Sequence, residues 1–123
     1  IPDVRTYVSV DGGMGDNIRP ALYESEYAVV PVDRPIATRD QTVTVAGKFC
    51  ESGDVLARDV DLPSVETGEL LALPASGAYC LMMASNYNMQ TRPAVVMVKD
   101  GEARLIRRRE TYKDLLASSL DLA

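Results

Sequence analysis

Apolar and β-branched residues fall at every second position along much of the chain. In VRTYVSV (4–10), Val4, Thr6, Val8 and Val10 share one face and Arg5, Tyr7 and Ser9 the other, the spacing of a half-buried strand. TVTVAGKF (42–49) alternates in the same way, and YAVVPV (27–32), VLARDVDL (55–62) and ELLALP (69–74) are further short runs. Pro31 has no N–H to give a ladder, so its run is expected at a sheet edge or a strand end. The clearest unit is AVVMVKDGEARLIRR (94–108), two β-rich runs around Asp100-Gly101, a dipeptide suited to the positive φ angles of a type I′ hairpin turn.

Helical signals are few. In ETYKDLLASS, Thr111 is a candidate N-cap with Asp114 three residues on, a capping-box variant ahead of Leu115 and Leu116. RPALYESE can form a short helix with Pro20 in its first turn. Short strands at near-regular spacing with one or two small helices predict a mainly β domain, a β-barrel or sandwich.

With 123 residues the chain makes a single domain with room for a core. No apolar run approaches a membrane span. The net charge of -5 argues against nucleic acid and anionic lipid as partners, and the basic run Arg107 to Arg109 is too short to reverse this. Two cysteines and no histidine supply neither a structural zinc set nor a disulfide framework, so no metal is expected. The thiols are expected to be reduced, as in a cytoplasmic protein. Without histidine, Ser-His or Cys-His catalysis is excluded. The chain begins at Ile1 without an initiator Met or a signal segment and reads as a piece of something longer.

Three stretches ask for more than a scaffold. VDGGMGDNIRPALY (10–23) follows a strand with Gly12-Gly13, a pair that admits close approach of another backbone or a ligand. A plain glycine turn is the alternative, since the full G-x-G-x-x-G context is missing. GAYCLMMASNYN (77–88) mixes small and aromatic residues, with Met82 and Met83 read as core. FCESGD (49–54) sets a thiol, a carboxylate and a hydroxyl side by side at a strand end.

Taken in order with GKFCESGD, GAYCLMMASNYNMQTRPAVVMV and IRRRETYKDLL, the glycine-rich stretch resembles the C-terminal sheet domain of the pyridoxal-phosphate decarboxylases acting on ornithine, arginine and diaminopimelate, the diaminopimelate type in particular. The resemblance runs from about residue 8 to residue 116 and makes residues 1–123 such a domain, similar in fold to the C-terminal domain of alanine racemase. It implies a larger carbon-carbon lyase whose N-terminal (β/α)₈ barrel carries the cofactor lysine and is absent from this chain. It further implies a head-to-tail homodimer with active sites at subunit seams, pyridoxal 5'-phosphate as cofactor and meso-diaminopimelate as substrate, converted to L-lysine and CO₂. No lysine here matches the cofactor-lysine context, so Lys48, Lys99 and Lys113 are expected at the surface and the fragment is expected to be inactive alone.

The resemblance also assigns residues. Cys50 matches the proton donor that reaches into the neighbouring subunit's site; a thiol with a reference pKa near 8.5 is mostly protonated at neutral pH. Glu51 matches the contact to the substrate's distal ammonium, and Arg19 the contact to its distal carboxylate, which a guanidinium fork grips bidentately. Tyr23, four residues after Arg19 and on the same face if the segment is helical, matches a further substrate contact. Tyr79 matches the tyrosine whose hydroxyl meets cofactor or substrate, and Cys80 reads as a small buried hydrophobe. Asp11, Asp16, Asn17, Asn86 and Asn88 read as turn and capping residues. The alternatives are a surface ion pair for Arg19 and Glu51, packed rings for the tyrosines, a decarboxylase of another basic amino acid, and a non-catalytic regulatory paralogue.

Overall fold

The computed structural model describes residues 4–120. They divide into two compact units, one ending at Ala84 and the other beginning at Ser85. The domain is mainly sheet with a few short helices, as the alternating pattern predicts.

The first unit is organised around β1 (Thr6–Ser9), β3 (Gln41–Ala46) and β4 (Val55–Leu62). The strand order is β1-β3-β4, with β1 parallel and β4 antiparallel to β3. Val43 and Val45 of β3, with Val29, Leu56, Ala57 and Leu62, make the core, and Val8, Val10, Val60, Leu71 and Leu73 pack around it. Fully burying one such side chain contributes roughly 1.5–3 kcal/mol. The opposite face of β3 is covered too, since Thr44 is completely buried. Across from Val43 and Val45 the ladder skips from Val60 to Ala57. Asp59 in that gap has φ 50, the signature of a bulge that bends β4.

β2 (Val30–Pro31) pairs with β5 (Leu71–Ala72) as a separate antiparallel ribbon. Pro31 ends its strand, as expected from its missing donor. Helix α1 (Arg19–Tyr23) has Pro in its first turn and stops where Glu24 turns left-handed at φ 53. Helix α2 (Gly77–Met83) was not anticipated, and it corrects the reading of Met82 as core: Cys80 is its buried residue, and Met82 is 82% exposed.

In the second unit β6 (Val95–Lys99) and β7 (Glu102–Arg107) form the anticipated hairpin. Asp100 and Gly101 have φ of 51 and 80, the two positive values of a type I′ turn. Helix α3 (Tyr112–Leu115) opens with the expected capping box: the Thr111 N–H and hydroxyl both donate to the Asp114 carboxylate, at 2.7 and 2.8 Å. Glu110 accepts from the Asn86 side-chain amide at 2.6 Å and from the Arg92 N–H at 2.9 Å, and pairs with the Arg92 guanidinium. The Arg92 guanidinium beside Glu110, helped by these N–H donors, holds its carboxyl down at about 2.

Of the expected β-barrel or sandwich, the mainly β character is found and the closed form is not. Among the described residues the strands form one three-stranded and two two-stranded sheets, and none closes into a barrel. Among the described residues β1 and β4 each pair on one side only, which leaves both edges of the three-stranded sheet open.

Candidate functional site

Parallel pairing of β1 with β3 has a direct consequence for the site. Parallel strands end at the same side of a sheet, so the loop after β1 (10–18) and the loop after β3 (47–54) emerge together. Backbone bonds join them: the Val10 N–H donates to Ala46 O at 3.0 Å and the Lys48 N–H to Gly12 O at 3.2 Å. The second loop is closed on itself by the Gly47 N–H to Asp54 O at 2.9 Å and the Asp54 N–H to Glu51 O at 3.1 Å.

Asp54 holds the two loops in register. Its side chain is buried, with one carboxylate oxygen accepting the Met14 N–H and the other the Phe49 N–H, both at 2.6 Å. The glycines make room for this arrangement. A Cβ at Gly47 would lie 2.3 Å from the Asp54 carboxylate, one at Gly13 would meet the Phe49 ring at 2.5 Å, and one at Gly15 would meet the same ring at 2.5 Å. Gly12-Gly13 was expected to permit a close approach; the partner that approaches Gly13 is protein, the Phe49 ring and the Asp54 carboxylate.

Cys50 and Glu51 ride on top of this clamp. Cys50 is a free, exposed thiol, open to an external partner and not sealed in the core. Glu51 is exposed, and one of its oxygens accepts from the Ser52 hydroxyl at 3.2 Å and the Gly53 N–H at 3.4 Å.

The first loop feeds α1. Asp16 accepts the Gly13 N–H at 3.1 Å, and Asn17 accepts the Arg19 N–H at 3.2 Å, so both shape the turn as their residue types predicted. Burial pushes the Asp16 carboxyl up, and the Gly13 N–H opposes this. The Asn17 side-chain nitrogen is buried without a partner among the described residues.

Arg19 and Tyr23 share a face of α1, as the four-residue spacing requires. The Arg19 guanidinium carbon lies 5.5 Å from the Tyr23 ring centroid and 4.9 Å from that of Tyr79, within the range of cation–π attraction. Tyr23 and Tyr79 are 61% and 62% exposed. Neither is therefore a packed core ring. Among the described residues no carboxylate pairs with Arg19. α1 is also close to the thiol's loop, since a Cβ at Gly53 would lie 3.8 Å from that of Ala21.

The five anticipated residues thus fall in two groups at one end of the first unit: Cys50 with Glu51 on the clamped loop, and Arg19 with the rings of Tyr23 and Tyr79. Cys80, next to Tyr79 in α2, is the small buried residue it was taken for, with its Sγ 3.7 Å from the Tyr27 hydroxyl. Lys48, Lys99 and Lys113 are exposed. A hollow of about 830 Å³ beside α1 and β4 is lined by Glu24, Tyr27, Leu56 and Arg58 among others, and by none of the five. No described helix is long and apolar enough to cross a membrane. Reasoning from residues alone missed Asp54, although glycines at 13, 15 and 47 were a signal that something bulky had to fit against their backbone.

Comparison with known proteins adds three findings. The model of the pyridoxal-dependent decarboxylase C-terminal sheet domain matches residues 2–77. Diaminopimelate decarboxylases of Bacillus subtilis (strain 168) and Synechocystis sp. are each 55% identical, over 99% and 94% of this chain and 27% and 25% of their own length. The crystal structure of diaminopimelate decarboxylase from M. jannaschii in co-complex with L-lysine is 40% identical with a TM-score of 0.89, covering 98% of this chain and 27% of that one. The chain spans about a quarter of the length of these relatives.

Proposed function

Because the chain belongs to the pyridoxal-dependent decarboxylases and matches their C-terminal sheet domain, we propose that it is the sheet domain of a diaminopimelate decarboxylase. The full-length protein converts meso-2,6-diaminopimelate to L-lysine and CO₂, the last step of lysine biosynthesis, as a cytoplasmic homodimer, and this domain alone is inactive. The barrel carrying the cofactor lysine lies outside residues 1–123. Closure of the open edges of β1 and β4 into a barrel or sandwich belongs to that larger assembly.

The observation that carries the reading is the state of Arg19. Its guanidinium lies against two exposed tyrosine rings and is paired with no carboxylate among the described residues. A cation held in this way is suited to a carboxylate that arrives with a ligand. A substrate whose far end is an ammonium alone would give Arg19 nothing to bind, which favours diaminopimelate over ornithine or arginine. Glu51 supplies the complementary charge for the distal ammonium.

The chain's contribution to chemistry is a proton and a grip. Bound pyridoxal phosphate supplies the electron sink that makes loss of CO₂ accessible. Tyr79 fits that group, because its exposed hydroxyl is a neutral donor for a phosphate oxygen and has no hydrogen bond among the described residues. Cys50 is exposed on the loop that Asp54 clamps, so its S–H can deliver a proton across a subunit seam to the carbon that has lost CO₂. Arg19, Tyr23 and Glu51 bind the remote end and orient the substrate.

The test is product formation by the full-length protein carrying this domain, purified with pyridoxal phosphate and offered meso-diaminopimelate, ornithine and arginine separately. Lysine and CO₂ from the first alone support the reading. Equal or faster turnover of ornithine or arginine contradicts it.

A further inference from the structure

Asp54 is a buried carboxylate that the reading above does not use. Its two oxygens are divided between the two loops that carry the candidate site. One accepts the Met14 N–H from a loop 40 residues away in sequence, and the other accepts the Phe49 N–H next to Cys50, each at 2.6 Å. The Met14 loop runs directly into Asn17, whose side chain accepts the Arg19 N–H. The Phe49 loop carries Cys50 and Glu51. One side chain therefore stands at the root of both functional groups.

The packing leaves it no slack. The positions a Cβ would take at Gly47 and Gly13 lie 2.3 and 2.6 Å from the Asp54 carboxylate oxygens, and Phe49 fills the space beside Gly13 and Gly15. A carboxylate is needed because both incoming groups are N–H donors. An amide would accept from one loop and turn its own NH₂ toward the other donor.

We infer that Asp54 is a positioning residue that locks the proton-donor loop to the substrate-grip loop, so that the thiol and the guanidinium are held at a fixed spacing. The inference rests on the roles given above to Cys50 and Arg19. Its chemical content is the direction of proton delivery. After CO₂ has left, the electron pair of the broken C–C bond forms a new C–H bond with the proton of the Cys50 S–H, and the thiolate regains a proton from solvent. A thiol held in place delivers from one side; a displaced one lets water deliver from either.

The test uses the full-length enzyme, with the Asp54→Asn, Gly47→Ala and Cys50→Ala variants run in D₂O. Gly47→Ala keeps the carboxylate but pushes it aside. Both Asp54→Asn and Gly47→Ala are expected to lower kcat on diaminopimelate by about ten- to a hundredfold, the scale for misplacing a reacting group by about an ångström. The CHD group of the lysine product, expected by NMR to have a single configuration in the parent, is expected to become mixed in both variants. A role in stability alone would lower Tm and leave that configuration intact. Folded Asp54→Asn with kcat within twofold of the parent, or with a single CHD configuration, overturns the inference; if Asp54→Asn does not fold, the same two outcomes are read from Gly47→Ala. Parent-like turnover by Cys50→Ala sinks the underlying reading and this one with it, whereas the expected loss in Cys50→Ala beside parent-like Asp54→Asn sinks this one alone.

Discussion

Replacing Arg19 by Ala in the full-length protein removes the cation between Tyr23 and Tyr79 and leaves the backbone of α1 unchanged, because Ala favours the helix. The two ring contacts, at 5.5 and 4.9 Å, orient the guanidinium and are each worth about 0.5–1 kcal/mol at exposed sites. What the substrate loses is larger. A hydrogen bond to a charged group contributes about 1.5–3 kcal/mol, so losing the grip on a distal carboxylate lowers kcat/KM for diaminopimelate by about 10- to 150-fold. Arg19→Lys keeps the charge without the planar fork and falls between parent and Ala. The assay compares steady-state kcat/KM for diaminopimelate with the inhibition constant of a diamino monocarboxylic acid lacking the distal carboxylate. The loss is confined to the dicarboxylic compound if Arg19 reads that group. Equal losses for both compounds refute the assignment.

Two further outcomes concern stability. The folded-state pKa of Glu110 is depressed from its ordinary value to about 2, so its contribution is complete above about pH 4.5 and disappears as pH falls toward 2. A chain with Glu110→Gln should therefore show a shallower loss of Tm across that window than the parent, and identical acid profiles would contradict the pairing. Thr44 is fully buried with its hydroxyl unpartnered among the described residues, so Thr44→Val should leave stability unchanged or raise it by about 1 kcal/mol. A loss of more than 1 kcal/mol in denaturant unfolding would reveal a hydroxyl partner and sink the claim.

The strands were legible because each lies in a local run of β-forming residues, alternating in β1 and β3. β4 was expected over 55–62 and is found at Val55–Leu62, and the Asp100-Gly101 turn was fixed by the φ angles it demands. The capping box at Thr111 is equally local. Helix α2 escaped notice because Gly77–Met83 has no acidic first turn, no basic last turn and no side-chain bond from its N-cap Ser76. The parallel pairing of β1 with β3 was also out of reach, since it joins strands separated by about thirty residues of crossover. With it went the role of Asp54, whose partner Met14 is brought near only by that pairing. The site residues were named through resemblance to a family. What the sequence could not supply was their division into two groups, or the carboxylate standing between the two loops.

The central claim is that an exposed thiol on a clamped loop completes the reaction by giving up its proton. Turnover of meso-diaminopimelate by full-length Cys50→Ala, followed by lysine release at saturating substrate, tests it most directly. The account predicts that kcat falls at least tenfold while KM changes by less than about threefold. A kcat within threefold of the parent would contradict it.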